Sequence, residues 1–122
     1  MPGSKSIIEL LYHILAWREI LVSRLEGDFE SQIEMNSEKD WKRYSGLNKQ
    51  AWEEMLKRLD RNQTRLLDIL KGKDDNFLDK KNNPKGYDLG VLLDSMMQHD
   101  TYHLGQIALI KSQLVKMKKV EN

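Results

Sequence analysis

The sequence predicts an all-α fold with three main helices gathered round one core. Three observations carry this. Apolar residues recur at the helical period of 3.6 over three long segments. The strong helix formers Leu, Lys, Glu, Gln, Arg and Met are abundant. The only two prolines, Pro2 and Pro84, both lie outside the periodic segments. At 122 residues the chain is long enough for one domain, read as 1–122.

The first helix is expected over about 6–26. Ser6-Ile7-Ile8-Glu9 matches a capping box, with Ser at the cap and Glu three residues on. Gly27 supplies a C-terminal stop. The second helix is expected over about 46–71, starting near Ser45 to Asn48 and ending at Gly72, with Trp52, Leu56, Leu59, Leu66 and Leu70 as its apolar stripe. The third is expected over about 88–119, starting near Tyr87 to Leu89. Residues 28–44 form a polar connection anchored by Phe29, Ile33, Met35 and Trp41. Residues 73–86 are turn-rich, with Asp74-Asp75-Asn76 and Asn82-Asn83-Pro84-Lys85-Gly86.

Successive positions on a helix turn by about 100°. On the third helix this gathers Leu89, Leu92, Leu93, Met96, Met97, Leu104, Ile107, Ile110 and Leu114 on one broad face. On the first, Ile7, Ile8, Leu10, Leu11, Ile14, Leu15, Trp17, Leu21, Val22 and Leu25 cover about half the circumference, more than the ~100° stripe of a helix with one neighbour. That excess calls for partners on two sides, the further cover coming from a fourth helix or a second subunit. Arg18 projects into the first face and Asp100 into the third. A lone buried charge is very costly, so the two are expected to pair across the helices. The tryptophans Trp17, Trp41 and Trp52 read as core residues.

Composition excludes several functions. With no cysteine there is no disulfide, thiolate ligand or internal thiol nucleophile, which suits a reducing cytoplasm. No apolar run reaches the ~18 residues of a membrane span, and the N-terminus lacks a secretion-signal pattern. The net charge is +1 with acids and bases interspersed, so no basic face for nucleic acid is expected. The single basic cluster, Lys116, Lys118 and Lys119, complements the dipole at the end of the last helix.

The chemistry-bearing residues are the histidines. His99 and His103, in QHDTYHLGQI, stand one turn apart on the same side of a helix, the spacing at which two imidazoles can grip one metal ion. His13, the third histidine of the chain, lies at the margin of the first helix's apolar face. If the two helices are neighbours, the three rings make a three-nitrogen site with open coordination positions, an arrangement typical of catalytic metal centres. Asp100 and Gln106 are the candidate outer supports, Asp100 orienting a ligand histidine and Gln106 reaching a bound ligand or His99. From spacing alone a second reading stands beside this one: interior histidines satisfied by ordinary hydrogen bonds.

QHDTYHLGQIALI resembles the last-helix signature of the DinB/YfiT-like superfamily of small metal-dependent enzymes. SIIELLYHILAWREILVSRLEG resembles the helix carrying that family's first ligand histidine, NKQAWEEMLKRLDRNQTRLLDIL its third helix, and YDLGVLLDSMMQHD the approach to the last. The resemblance implies an up-and-down four-helix bundle in which His13, His99 and His103 bind a divalent ion, zinc or nickel. It also implies a homodimer, and a thiol S-transferase or hydrolase activity on a small-molecule substrate. Family members usually carry another helix before the first ligand helix, whereas here only Met1 to Lys5 precede Ser6. By that comparison the chain looks like a member without its first helix, whether as a natural short form, a late-assigned start or a truncation.

The reading that results is a cytoplasmic metal-dependent enzyme that activates a low-molecular-weight thiol or water for attack on a small electrophile, with no nucleic-acid or membrane partner. The alternative is a non-catalytic dimeric stress or interaction module whose metal, if any, is structural. A third reading is a helical subunit that binds a partner helix through its uncovered face.

Overall fold

The computed structural model describes residues 5–45, 48–81 and 88–121, the last three as backbone only. Its helices are α1 (Ile7–Leu25), α2 (Lys49–Leu70), the short α3 (Asp75–Leu78) and α4 (Leu89–Glu121). No strand accompanies them among the described residues, where Lys81 and Asp88 form only an isolated bridge. The all-α expectation therefore holds.

Each long helix starts where local chemistry supplies acceptors for its free N–H groups. Ser6 Oγ accepts from the Glu9 backbone N–H at 3.3 Å, and Glu9 Oε1 accepts from the Ser6 N–H at 2.9 Å, so the capping box is formed. Asn48 caps α2 by accepting from the Ala51 N–H at 3.0 Å. The start of α2 is thus set by Asn48, while Gly46 and Leu47 lie outside the described residues. The chain leaves α1 through Gly27 at φ +107°, a left-handed conformation that a Cβ would disfavour. Asp74 caps α3, a turn of helix inside the connection read as turn-rich; the Asn82 to Gly86 turn and Tyr87 lie outside the described residues.

α1 is the shared helix. It packs against α2 on one side and α4 on the other, and among the described residues no Cα of α2 comes within 8 Å of a Cα of α4. Leu21 and Leu25 of α1 meet Leu66 of α2 and Leu89 and Met96 of α4 in one buried cluster. Leu11 and Leu15 of α1 meet Met55 of α2 in a second. Leu15, Leu10, Met55 and Leu89 are the most completely buried large side chains.

The wide apolar face of α1 is thus met by two neighbours within the chain. The uncovered apolar surface lies instead on α4 and α2. Met97, Leu104 and Leu114, assigned by periodicity to the core face of α4, are exposed, as are Leu109 and Met117. On α2, Trp52 and Leu56 stand at the exposed margin, whereas Met55, Asn62 and Leu66 are buried. The reason is geometric. Met97 and Leu104 stand level with α1, as the adjacent Met96 and His103 do, but about 100° round the helix from those buried residues; Leu114 lies further along, where the cover runs out. At 1.5 Å per residue α4 is about 50 Å long and α1 about 28 Å, so α4 outruns its partner.

Leu15→Ala should destabilise the fold by about 2–5 kcal/mol, the usual range for emptying a fully buried leucine site. Urea denaturation measures this, and a loss under about 1 kcal/mol would show that α1 is not central to the core.

Candidate metal centre

α1 and α4 run side by side and bring their histidines together. One nitrogen from each of His13, His99 and His103 lies within 4.8 Å of the other two. It is the one cluster of three or more potential metal-ligating side chains among the described residues. His13 and His103 are buried and His99 is half-buried. The ring centroids are 4.6–4.8 Å apart: His13–His99 at 4.8 Å, His13–His103 at 4.6 Å and His99–His103 at 4.6 Å.

The outer nitrogens define the chemistry of the inner ones. His13 Nδ1 lies 2.8 Å from Asp40 Oδ1 and 3.0 Å from the Asp40 carbonyl oxygen. Both are acceptors, so Nδ1 carries the proton and Nε2 is left with a lone pair. His103 Nδ1 donates to Gln106 Oε1 at 2.6 Å, which fixes the same tautomer. His99 Nδ1 faces Asp100 Oδ1 at 3.5 Å without a hydrogen bond, so this contact does not assign the His99 tautomer.

The consequence appears on the inside of the triad. His13 Nε2 and His99 Nε2 stand 2.9 Å apart. When His99 Nε2 carries the proton it donates to the His13 Nε2 lone pair; with that proton on Nδ1 instead, both lone pairs face inward and can share a cation. His99 Nδ1 and Asp100 Oδ1 are also buried without a hydrogen bond. The donor set therefore fits a divalent ion. Burial pushes the His13 and His103 imidazoles below the ordinary histidine value, with the Asp40 and Gln106 hydrogen bonds pulling partly the other way. Both rings are then neutral at pH 7, the state in which imidazole ligates metals.

Asp40 is the residue that sequence reasoning missed. It is 3 % exposed, although it belongs to a polar connection whose apolar residues were expected to anchor it. Phe29 and Met35 are exposed instead, and Ile33 is half-buried. Beyond His13, Asp40 accepts from Trp17 Nε1 at 2.7 Å on Oδ1 and from the Asn36 backbone N–H at 2.7 Å on Oδ2. Trp41 follows it and lies flat on His13, with ring centroids 3.8 Å apart and planes 5° from parallel. Trp41 thus packs against the site, while Trp17 spans the site and the core. Nothing in the sequence separates Asp40 from Glu34 or Glu38; only the fold of the loop selects it.

The other candidates are placed as follows. Gln106 contacts His103, one turn earlier on its own helix, where a contact with His99 or a ligand had been expected. At three residues' separation Gln106 lies directly along the helix from His103. Arg18 Nη1 donates to Asp100 Oδ2 at 3.0 Å, joining the two charges that intrude into apolar faces. Lys116 and Lys118 are exposed on the part of α4 that outruns α1.

The model of the DinB superfamily matches residues 1–107, a span that holds all three histidines, Asp40 and Gln106. The chain belongs to the DinB superfamily. No curated protein and no solved structure gives a significant match. Among the described residues of this DinB-superfamily chain, no helix is long and apolar enough to cross a membrane.

Asp40→Ala should weaken metal binding about 10- to 100-fold, the range for removing the partner of a ligand histidine. Competition titration against a chromophoric chelator measures it. Wild-type affinity in the variant would mean that Asp40 holds the loop but does not support His13.

Proposed function

We propose that this DinB-superfamily protein is a metal-dependent enzyme in which His13, His99 and His103 hold one divalent ion, zinc or nickel. The observation that carries the reading is the inward convergence of three imidazoles whose outer nitrogens each face an oxygen acceptor. When bound, such an ion supplies Lewis acidity at an open position, which favours the deprotonated form of a thiol or water. Three protein ligands leave that position free for a small molecule.

The chain's own residues do the rest. Asp40 and Trp41 hold His13 in plane and in tautomer, and Gln106 holds His103. With no cysteine of its own, the chain would take any thiol from a low-molecular-weight cosubstrate. The reaction class is attack of that thiol, or of water, on a small electrophile, in the manner of a thiol S-transferase or hydrolase. A cytoplasmic setting would supply such thiols. The alternative, a non-catalytic module with a structural metal, draws support from the exposed apolar surface of α4.

Elemental analysis beside a His99→Ala/His103→Ala variant tests the site. About one divalent ion per chain is expected in the wild type and none in the variant. Equal metal content in the two would refute the assignment.

The same apolar surface leads us to propose a homodimer. Leu109, Leu114 and Met117 are each more than half exposed and fall within about 140° of one another around α4, and apolar surface of this kind marks association sites. Analytical ultracentrifugation should find a dimer in the wild type and a monomer in Leu109→Glu/Leu114→Glu. A wild type that stays monomeric at high concentration would remove the proposal.

A further inference from the structure

Arg18 shares one guanidinium between two helices whose backbones do not meet. Nη1 donates to Asp100 Oδ2 on α4 at 3.0 Å. Nε donates to Asn62 Oδ1 on α2 at 2.8 Å. Nη2 donates to Gln63 Oε1, also on α2. The Arg18 and Asp100 side chains keep only 15 % and 11 % of their exposure, and Asn62 keeps 7 %. A guanidinium is a rigid planar fork. With two of its nitrogens fixed on α2, the third has little freedom in where it meets Asp100.

Asn62 is an expensive residue for its place. It lies among Met55, Leu59, Leu66 and Ile69 on the core-facing side of α2. Mid-helix asparagine has poor helix propensity, and a buried amide must be hydrogen-bonded to be tolerated. Its carbonyl oxygen is committed to Arg18. Beyond Arg18, the line of contacts ends at the histidines. Asp100 Oδ1 stands 3.5 Å from His99 Nδ1, and both atoms are buried without a hydrogen bond. An N–H···O bond closes at about 2.7–3.2 Å. A shift of a few tenths of an ångström in the carboxylate therefore decides whether His99 is held.

We propose that Asn62 and Gln63 are positioning residues for the metal centre. Through Arg18 they set the Asp100 carboxylate and with it the orientation of His99, so that the register of α2 tunes metal affinity. This rests on reading the triad as a metal site. It adds to that reading a helix that contributes no ligand.

The test uses the full chain and zinc, with affinity measured by chelator competition, helicity by circular dichroism, and the imidazoles of the metal-free protein by ¹⁵N NMR. Asn62→Ala should bind zinc roughly 2- to 30-fold more weakly, the range for residues that act through others. That loss should vanish in an Asp100→Asn background, where the line is already cut. The His99 resonances should move in Asn62→Ala, while those of His103, held by Gln106 on its own helix, stay in place. If Asn62→Ala fails to fold, Gln63→Ala takes its place, because Gln63 is exposed and should change affinity in the same direction. Wild-type affinity with unmoved His99 resonances, or an equal loss with and without Asp100, would overturn the proposal, as a purely structural Asn62 gives those results. If the wild type binds no zinc, the metal reading itself fails. Movement of His99 alone in the metal-free variants would then still uphold the positioning role.

Discussion

The contact between His13 and Asp40 is the constraint on which the candidate site depends. A buried imidazole has two nitrogens to satisfy, and Asp40 takes one of them with both its carboxylate and its carbonyl oxygen. That commits the second nitrogen to the interior of the triad. The same aspartate accepts from Trp17 and from the turn at Asn36, so one carboxylate joins the loop, α1 and the histidine site. Gln106 does for His103 what Asp40 does for His13, but from its own helix. One support is local and survives wherever α4 forms. The other exists only when the 28–44 connection has folded across α1.

The architecture explains why α1 can carry both core and site. Its two sides are occupied by α2 and α4, and its leucines join both hydrophobic clusters. His13 and Trp17 lie toward α4 and the loop, while Leu11 and Leu15 pack with α2. Arg18 reaches both helices. Such an arrangement places little between α2 and α4 except what α1 provides. It also leaves α4 with apolar surface beyond the end of α1, which is the basis for expecting a second copy of the chain there.

Much of this was legible in the residues. The capping box at Ser6, the stop at Gly27 and the helical period located the first helix to within a residue at either end. Those signals are local and act through backbone hydrogen bonds within a few positions. The i, i+4 spacing of His99 and His103, and the intrusion of Arg18 and Asp100 into apolar faces, are also properties of a helix taken alone. Asn62 leaves a readable trace as well, a polar residue among the apolar positions of α2.

Local chemistry along the chain thus specifies the helices, the side of each that is apolar and the residues able to ligate a metal. Folding alone decides which nitrogen of His13 faces inward, because that depends on an acceptor from a distant segment: Asp40 lies 27 residues from His13 along the chain. It also decides which apolar positions are buried, since Met97 and Leu104 turn aside from α1 and Leu114 lies where α4 outruns it. Periodicity orders residues around a helix axis; only the packed neighbours fix how wide an arc, and how much of the length, is covered.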